Sequence, residues 1–200
     1  CIRDSALTGD QYASGINPIT KKEGWWNYAV GPGKSFDTDK FFVICANVIG
    51  GCMGSYGPGT IDPLTNKPIG TNFPVITIND MVNAQYNLLD YLKIEKLFAV
   101  AGGSMGGMQV LQFVSNFPNK AKVALPIACT ASHSAQNIAF NELGRQAIMS
   151  DSNWKEGLYD QKSTNPDKGL AVARMAAHIT YLSKQGLQEK FGRNLQERSD

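Results

Sequence analysis

The sequence predicts an α/β protein with a mostly parallel sheet. Three apolar runs rich in β-branched residues are typical of buried strands, at residues 41–47, 97–102 and 122–129. Helical patterns separate them: an amphipathic one at residues 77–93 and one that is apolar nearly all round at residues 105–117. Strands that alternate with helices pair in parallel through right-handed crossovers, so the order of these segments indicates an α/β sheet.

The 200 residues are enough for one domain with a core and a small appended lobe. Strand patterns stop near residue 130, and the remainder favours helices at residues 134–150 and 169–186. We therefore predict a sheet-containing core over residues 1–130 and a helical region over residues 131–200.

Charge and composition exclude several classes of partner. The formal net charge is +2 and the basic residues are scattered, which argues against a nucleic-acid partner. The apolar runs are too short to cross a bilayer, so we expect no membrane partner. No cysteine pair has CxxC spacing, and His133 and His178 are not spaced for a metal site, so we expect reduced thiols and no metal.

Two segments between the strands differ in how clearly they can be interpreted. Thr77 is placed to cap the first helix, with Asp80 three residues on in a capping-box position. Residues 48–76 are rich in glycine and proline and are long for a passive connection. They form either a functional loop near a site, with Gly50, Gly51 and Gly54 allowing close backbone approach, or a mobile surface loop.

The stretch AVAGGSMGGMQVLQF, residues 99–113, carries the strongest chemical pattern. A G-x-S-x-G motif between a buried strand and a helix is typical of a nucleophile elbow, which holds a serine on a sharp, strained turn. This context favours Ser104 as a catalytic nucleophile over a purely structural glycine turn. The backbone N–H of Met105, at the start of the next helix, is then placed to donate to an oxyanion.

A serine nucleophile needs a histidine and an acid, which follow the serine in this order: serine, acid, histidine. Only His133 and His178 come after Ser104, and neither suits the role. No acidic residue lies between Ser104 and His133, and His178 falls inside a predicted helix. The residues alone therefore predict a nucleophile whose partners are not evident.

Several long motifs resemble the homoserine O-acetyltransferase family. They are ALTGDQY, NVIGGCMGS, FPVITINDMV, GGSMGGMQ, SAQNIAFNE and GLAVARMAAHITYLS, and with KFGR they extend from about residue 6 to residue 193. The resemblance implies an α/β-hydrolase fold with a mostly parallel sheet and a helical lid insertion. It also implies a fragment lacking both ends, with the catalytic acid and histidine beyond Asp200.

The resemblance implies transfer of an acetyl group from acetyl-CoA to L-homoserine by a ping-pong mechanism through an acyl-serine, in methionine biosynthesis. In that mechanism Ser104 is the nucleophile, and the backbone N–H groups of Met105 and Leu7 form the oxyanion hole. Arg174 holds the homoserine carboxylate and Tyr181 lines the acceptor pocket. The bidentate grip of a guanidinium on a carboxylate fits this role.

The resemblance further implies a cytoplasmic homodimer with acetyl-CoA as co-substrate and no bound cofactor. Alternatives stay open at this point. Related enzymes use succinyl-CoA as donor or serine as acceptor, and an esterase would use water. A non-catalytic protein that keeps the fold is a fourth possibility, and an arginine clamp for a carboxylate argues against a plain esterase.

Overall fold

The computed structural model describes residues 2–4, 7–159 and 164–193. The chain divides into two compact units, residues 1–131 and residues 132–200. The first unit contains all the described strands, and the second contains helices.

The first unit is built on one larger sheet and two small ones. Its eight described strands are β1 (Ile2–Asp4), β2 (Val30–Gly31), β3 (Phe36–Asp37), β4 (Ile44–Cys45), β5 (Ile61–Asp62), β6 (Lys67–Pro68), β7 (Leu97–Gly103) and β8 (Ala121–Ile127). The larger sheet has four strands in the order β4-β1-β7-β8, and all its neighbours are parallel. The predicted parallel sheet is therefore confirmed.

The predicted strands differ in how much of their length pairs. Strands β7 and β8 confirm the runs at residues 97–102 and 122–129. The run at residues 41–47 is predicted to form a strand, and among the described residues its paired part is Ile44–Cys45. In the described sheet, β4 is the end strand, and its two residues pair with Ile2 and Arg3 of β1.

Two helices pack around the central strand β7 and form the core of the first unit. They are α1 (Ile78–Tyr91) and α2 (Met105–Asn116). The fully buried apolar side chains of the cluster come from these two helices and from β7: Val82, Leu89, Leu97, Val100, Val110 and Phe113. Phe113 and Val110 lie on α2, which confirms the prediction that this helix is central.

The start of α1 is fixed by the predicted capping box. The Thr77 hydroxyl oxygen accepts from the backbone N–H of Asp80 at 3.2 Å, and the Asp80 carboxylate accepts from the Thr77 N–H at 2.8 Å. The Thr77 hydroxyl also donates to the same carboxylate at 2.6 Å. The two hydrogen bonds that the carboxylate accepts lower the pKa of Asp80 below its usual value, and the bond from the Thr77 hydroxyl is the larger cause.

Replacing Thr77 by Val should destabilise the protein by about 1 kcal/mol at neutral pH, because the capping oxygen is lost. A carboxyl group whose pKa is lowered on folding stabilises the protein fully above its ordinary pKa of about 4. This stabilisation is lost as the pH falls through the lowered pKa. The difference between wild type and Thr77→Val should therefore shrink below about pH 4. Urea denaturation at several pH values measures it, and a difference that stays constant into acid would contradict this account.

Strand β8 lies at the opposite end of the described sheet from β4, and most of its residues are exposed. Val123, Leu125 and Ile127 are each about 40% exposed although all three are apolar. Its partner β7, by contrast, is buried at five of its seven positions. The burial of the described sheet is therefore asymmetric.

The glycine-rich segment over residues 48–76 contains more structure than the sequence indicated. Strands β5 and β6 form an antiparallel hairpin whose turn places Asn66 at a φ of 53°. A short 3-10 helix follows at Gly70–Asn72. The first part of the segment is closed by a hydrogen bond from the Gly50 N–H to the carbonyl of Tyr56, at 2.8 Å. It is therefore not a structureless loop.

The second unit contains three α-helices among its described residues: α3 (Ala135–Met149), α4 (Asp167–Tyr181) and α5 (Lys184–Phe191). The single helix expected over residues 169–186 is wrong, because Leu182 is extended and Ser183 begins α5 by accepting from the Gly186 N–H at 3.0 Å. Of the helices that the structure describes, none is both long and apolar enough to span a membrane.

Helices α3 and α4 pack closely at Gly169. A Cβ atom there would lie 2.4 Å from the carbonyl oxygen of Ala147, so a side chain would push the helices apart. The Gly169 N–H donates to Asp151 at 2.8 Å. Hydrogen bonds from the backbone N–H groups of Asn153, the larger cause, and Gly169 lower the pKa of Asp151. Through Gly169 this carboxylate connects the end of α3 to the start of α4.

Candidate active site

Ser104 lies at the turn between β7 and α2 in a backbone conformation that residues other than glycine rarely adopt. Its φ is 57° and its ψ is −120°, outside the regions usually open to a residue with a Cβ. Its N–H donates to the carbonyl of Ile127 on β8 at 2.9 Å, and its side chain does not cap α2. Ser104 is exposed, so its hydroxyl is accessible at the end of the sheet.

Glycines allow the strand and the helix to meet at this turn. A Cβ at Gly107 would lie 2.6 Å from Cys129 Sγ and 2.7 Å from Cys129 Cβ. It would also lie 3.1 Å from the carbonyl oxygen of Gly102. The first turn of α2 therefore packs directly on the chain that follows β8, and only glycine fits at position 107 without displacement.

Gly107→Ala should therefore destabilise the protein by about 1–3 kcal/mol through overpacking. Gly103→Ala is the matched control, because a Cβ at Gly103 would meet nothing within 4 Å. Adding Cys129→Gly to Gly107→Ala should recover part of the loss, since it removes both clashing atoms of Cys129. A double-mutant cycle from chemical denaturation gives the coupling free energy. A coupling energy of zero would show that the contact with Cys129 is not the cause.

Two backbone N–H groups were expected to form an oxyanion hole, those of Met105 and Leu7. Met105 is the first residue of α2, so its N–H has no acceptor within the helix. Leu7 is exposed and follows β1, which is adjacent to β7 with Asp4 paired to Gly102. Because neighbouring parallel strands end at the same edge of a sheet, the segments carrying Leu7 and Ser104 leave the sheet at one edge.

The segment after β1 is held to its neighbours by backbone acceptors. The Asp10 carbonyl accepts from the Trp25 indole N–H at 3.0 Å and from Cys45 Sγ at 3.5 Å. The Gln11 side-chain amide donates to the carbonyl of Met53 at 3.1 Å. The segments that follow β1 and β4 are therefore joined at the edge where Ser104 lies. This arrangement supports a position for the start of the glycine-rich segment beside the candidate site.

A buried pair of side-chain amides, which the sequence patterns do not indicate, joins α1 to α2 close to Ser104 in the chain. The Gln85 amide N–H on α1 donates to the side-chain oxygen of Gln109 on α2 at 2.7 Å. Gln85 is 7% exposed and Gln109 is fully buried. Gln109 Nε2 also lies 3.5 Å from the carbonyl oxygen of Met105. The one feature of the sequence that could have indicated this pair is a polar residue on an otherwise apolar face of each helix.

The remaining predicted residues belong to the second unit. Arg174 and Tyr181 lie on α4 and are exposed, and Tyr181 is 77% exposed. His178 lies between them, and its Nδ1 donates to the carbonyl of Arg174 at 2.8 Å. His133 is exposed before α3.

Comparison with known proteins defines the class of this chain. Residues 17–199 match the family model described as alpha/beta hydrolase fold. The chain belongs to that family, so the predicted fold class is confirmed.

Curated relatives narrow the class further. The chain is 80% identical over 195 residues to a homoserine O-acetyltransferase of Pelagibacter ubique (strain HTCC1062), a match that covers 98% of this chain and 52% of the relative. It is 61% identical over 193 residues to one from Mesorhizobium japonicum, covering 96% of this chain and 50% of the relative. The chain thus spans about half the length of these relatives. The resemblance predicted from the motifs is confirmed.

Solved structures agree on the fold and include two activities. A homoserine O-acetyltransferase from Bacillus anthracis matches with a TM-score of 0.87 and 26% identity, over 96% of this chain and 54% of that one. Esterase E22 matches with a TM-score of 0.83 and 31% identity, over 98% of this chain and 56% of that one. Both matches extend over nearly all of the 200 residues.

Proposed function

We propose that this chain is part of an acyltransferase that moves an acetyl group from acetyl-CoA to the hydroxyl of L-homoserine. The observation that carries the proposal is the 80% identity to a homoserine O-acetyltransferase over 98% of the chain. The strained, exposed Ser104 between β7 and α2 supplies the matching chemistry. The reaction serves methionine biosynthesis.

In the first half-reaction, Ser104 Oγ attacks the thioester carbonyl carbon of acetyl-CoA and gives its proton to a general base. The carbonyl oxygen becomes an oxyanion, and the N–H groups of Met105 and Leu7 stabilise it by donation. Removal of one such donor typically raises the barrier by about 3–4 kcal/mol. The C–S bond then breaks, the sulfur takes the proton, and CoA leaves as a thiol. The product is an acetyl ester on Ser104.

In the second half-reaction, the homoserine hydroxyl attacks the ester carbonyl and gives its proton to the same base. The bond to Ser104 Oγ breaks, the proton returns to that oxygen, and O-acetylhomoserine leaves. We assign the general base and its acid partner to residues outside this chain, because the family resemblance sets them in a later segment. His133 and His178 have no part in this proposal.

The acceptor is selected by α4. We assign Arg174 to the homoserine carboxylate and Tyr181 to the wall of the acceptor pocket. A guanidinium keeps its charge at every working pH and binds a carboxylate through two parallel hydrogen bonds. The exposure of Arg174 leaves its guanidinium accessible to such a ligand.

A second candidate function is hydrolysis, since esterase E22 shares the fold at 31% identity. In an esterase, water would take the place of homoserine in the second half-reaction. Succinyl-CoA as donor and serine as acceptor are further variants of the same chemistry. A non-catalytic role would leave Ser104 without covalent chemistry. These alternatives differ in product, so one assay separates them.

The assay uses a chimera in which this chain replaces the matching segment of the Pelagibacter ubique relative, so that the protein has the full length of that relative. Acetyl-CoA is supplied with homoserine, with serine or with neither, and succinyl-CoA is tested in parallel. We expect CoA release that depends on homoserine and yields O-acetylhomoserine. CoA release that is independent of homoserine and yields acetate would favour the esterase, and absence of acylation would favour a non-catalytic protein.

We further propose a cytoplasmic homodimer that works without a bound cofactor, as the resemblance to the family implies. Sedimentation of the same chimera tests the dimer. A monomer at the concentrations of the assay would contradict that part of the proposal without affecting the assignment of the reaction.

A further inference from the structure

The buried amide pair Gln85–Gln109 connects α1 to the first turn of α2. Gln109 follows Met105 by one helical turn, so its side chain lies beside the residue whose N–H is assigned to the oxyanion hole. Its Oε1 accepts from Gln85 at 2.7 Å, and its Nε2 lies 3.5 Å from the Met105 carbonyl oxygen. The pair therefore joins the turn that carries Met105 to a helix packed in the core.

Stability alone does not account for this pair. Two amides in an apolar core must be desolvated, and their mutual hydrogen bond returns only part of that free energy. Among the described residues, the Oε1 of Gln85 has no hydrogen-bond partner. Two apolar side chains of similar volume would avoid this loss. What an apolar pair lacks is direction, because a hydrogen bond fixes the angle and distance between two helices and packing alone does so less strictly.

We propose that Gln85 and Gln109 are positioning residues that hold the first turn of α2, and with it the Met105 N–H, in register with Ser104. This inference rests on the proposed function of Ser104 and Met105. It adds a pair of residues that touch neither substrate nor the reacting atoms. Misplacement of an oxyanion donor by about 1 Å is enough to slow a reaction by about 100-fold.

The test replaces both residues by methionine, which is close to glutamine in volume, in the complete chimera. Gln85→Met with Gln109→Met should leave the melting temperature unchanged or raised, since both partners of the buried pair become apolar. The rate of Ser104 acetylation in a single turnover should fall about 10- to 100-fold. The dissociation constant of homoserine should not change, because the assigned acceptor site is on another helix.

Gln112→Met is the matched control. It is the same substitution on the same helix, at a glutamine whose amide donates to Asn116 at the surface, at 2.8 Å. Acetylation in this variant should proceed at the wild-type rate. If the double variant does not fold, Gln85→Met alone replaces it, because it removes the hydrogen bond between the two helices while Gln109 Nε2 stays 3.5 Å from the Met105 carbonyl oxygen.

The outcomes separate this inference from the proposed function. Absence of acetyl-Ser104 in the unmodified chimera would overturn both. Normal acetylation in the unmodified chimera together with an unchanged rate in the methionine variants would overturn the positioning role alone. A parallel loss of stability and rate would show that the pair is structural, and would also overturn it.

Discussion

Ser104→Ala should lower acetyl transfer by the complete chimera by roughly five to six orders of magnitude. The substitution removes the only atom that can carry the acetyl group in the proposed mechanism, whereas both oxyanion donors are backbone groups and stay. Residual turnover reflects binding and the oxyanion hole alone. Intact-protein mass spectrometry after incubation with acetyl-CoA and no acceptor should find one acetyl group on the wild type and none on the variant.

Another serine supplies the control for this result. Ser115 is exposed on α2, the helix that follows Ser104, so Ser115→Ala should be acetylated and active like the wild type. Acetylation that persists in Ser104→Ala would place the nucleophile elsewhere, and would leave the strained turn without a catalytic explanation.

Arg174→Ala should raise the KM for homoserine by about 30- to 1,000-fold, which corresponds to a loss of about 2–4 kcal/mol for a charge-assisted contact with two hydrogen bonds. Acetylation of Ser104 by acetyl-CoA should be almost unaffected, because the acceptor carboxylate takes no part in the first half-reaction. Arg174→Lys should fall between the two, since it keeps the charge and loses the planar geometry. Steady-state kinetics with varied homoserine measure all three.

Arg145→Ala is the matched control for this experiment. Arg145 is also an arginine on a helix of the second unit, but its guanidinium is paired with Glu142, and its Nε lies 2.9 Å from that carboxylate. An exposed pair of this kind contributes little stability, so the variant should fold like the wild type. It should also keep the wild-type KM, because Arg145 has no assigned role in acceptor binding. An unchanged KM in Arg174→Ala would make Arg174 a surface arginine with no role in acceptor binding.

The sequence predicted most accurately what depends on neighbours along the chain. The capping box at Thr77 and Asp80 and the strand, turn and helix around Ser104 are all encoded within a few residues. Each depends on side-chain periodicity or on a local hydrogen bond, and both can be recognised without knowing the fold.

What the sequence could not predict depends on distant partners. Gln85 and Gln109 are 24 positions apart, and each interrupts an apolar face for a reason that only the other explains. The pairing of β4 joins Ile44 and Cys45 to Ile2 and Arg3, which are distant in the chain. The break after Tyr181 was missed because Leu182 continues the apolar pattern, whereas Ser183 stops the helix by capping the next one.

The backbone of Ser104 also sets a limit on how stable this fold can become. A residue with a Cβ held at a φ of 57° and a ψ of −120° gives up about 1–3 kcal/mol of conformational energy. Ser104→Gly would remove that strain, and the greater freedom of glycine in the unfolded chain would offset only about 0.5–1 kcal/mol of the gain. The inactive variant should therefore melt at a higher temperature than the active one. Under the proposed mechanism, selection for thermal stability and selection for reactivity act in opposite directions on this single position.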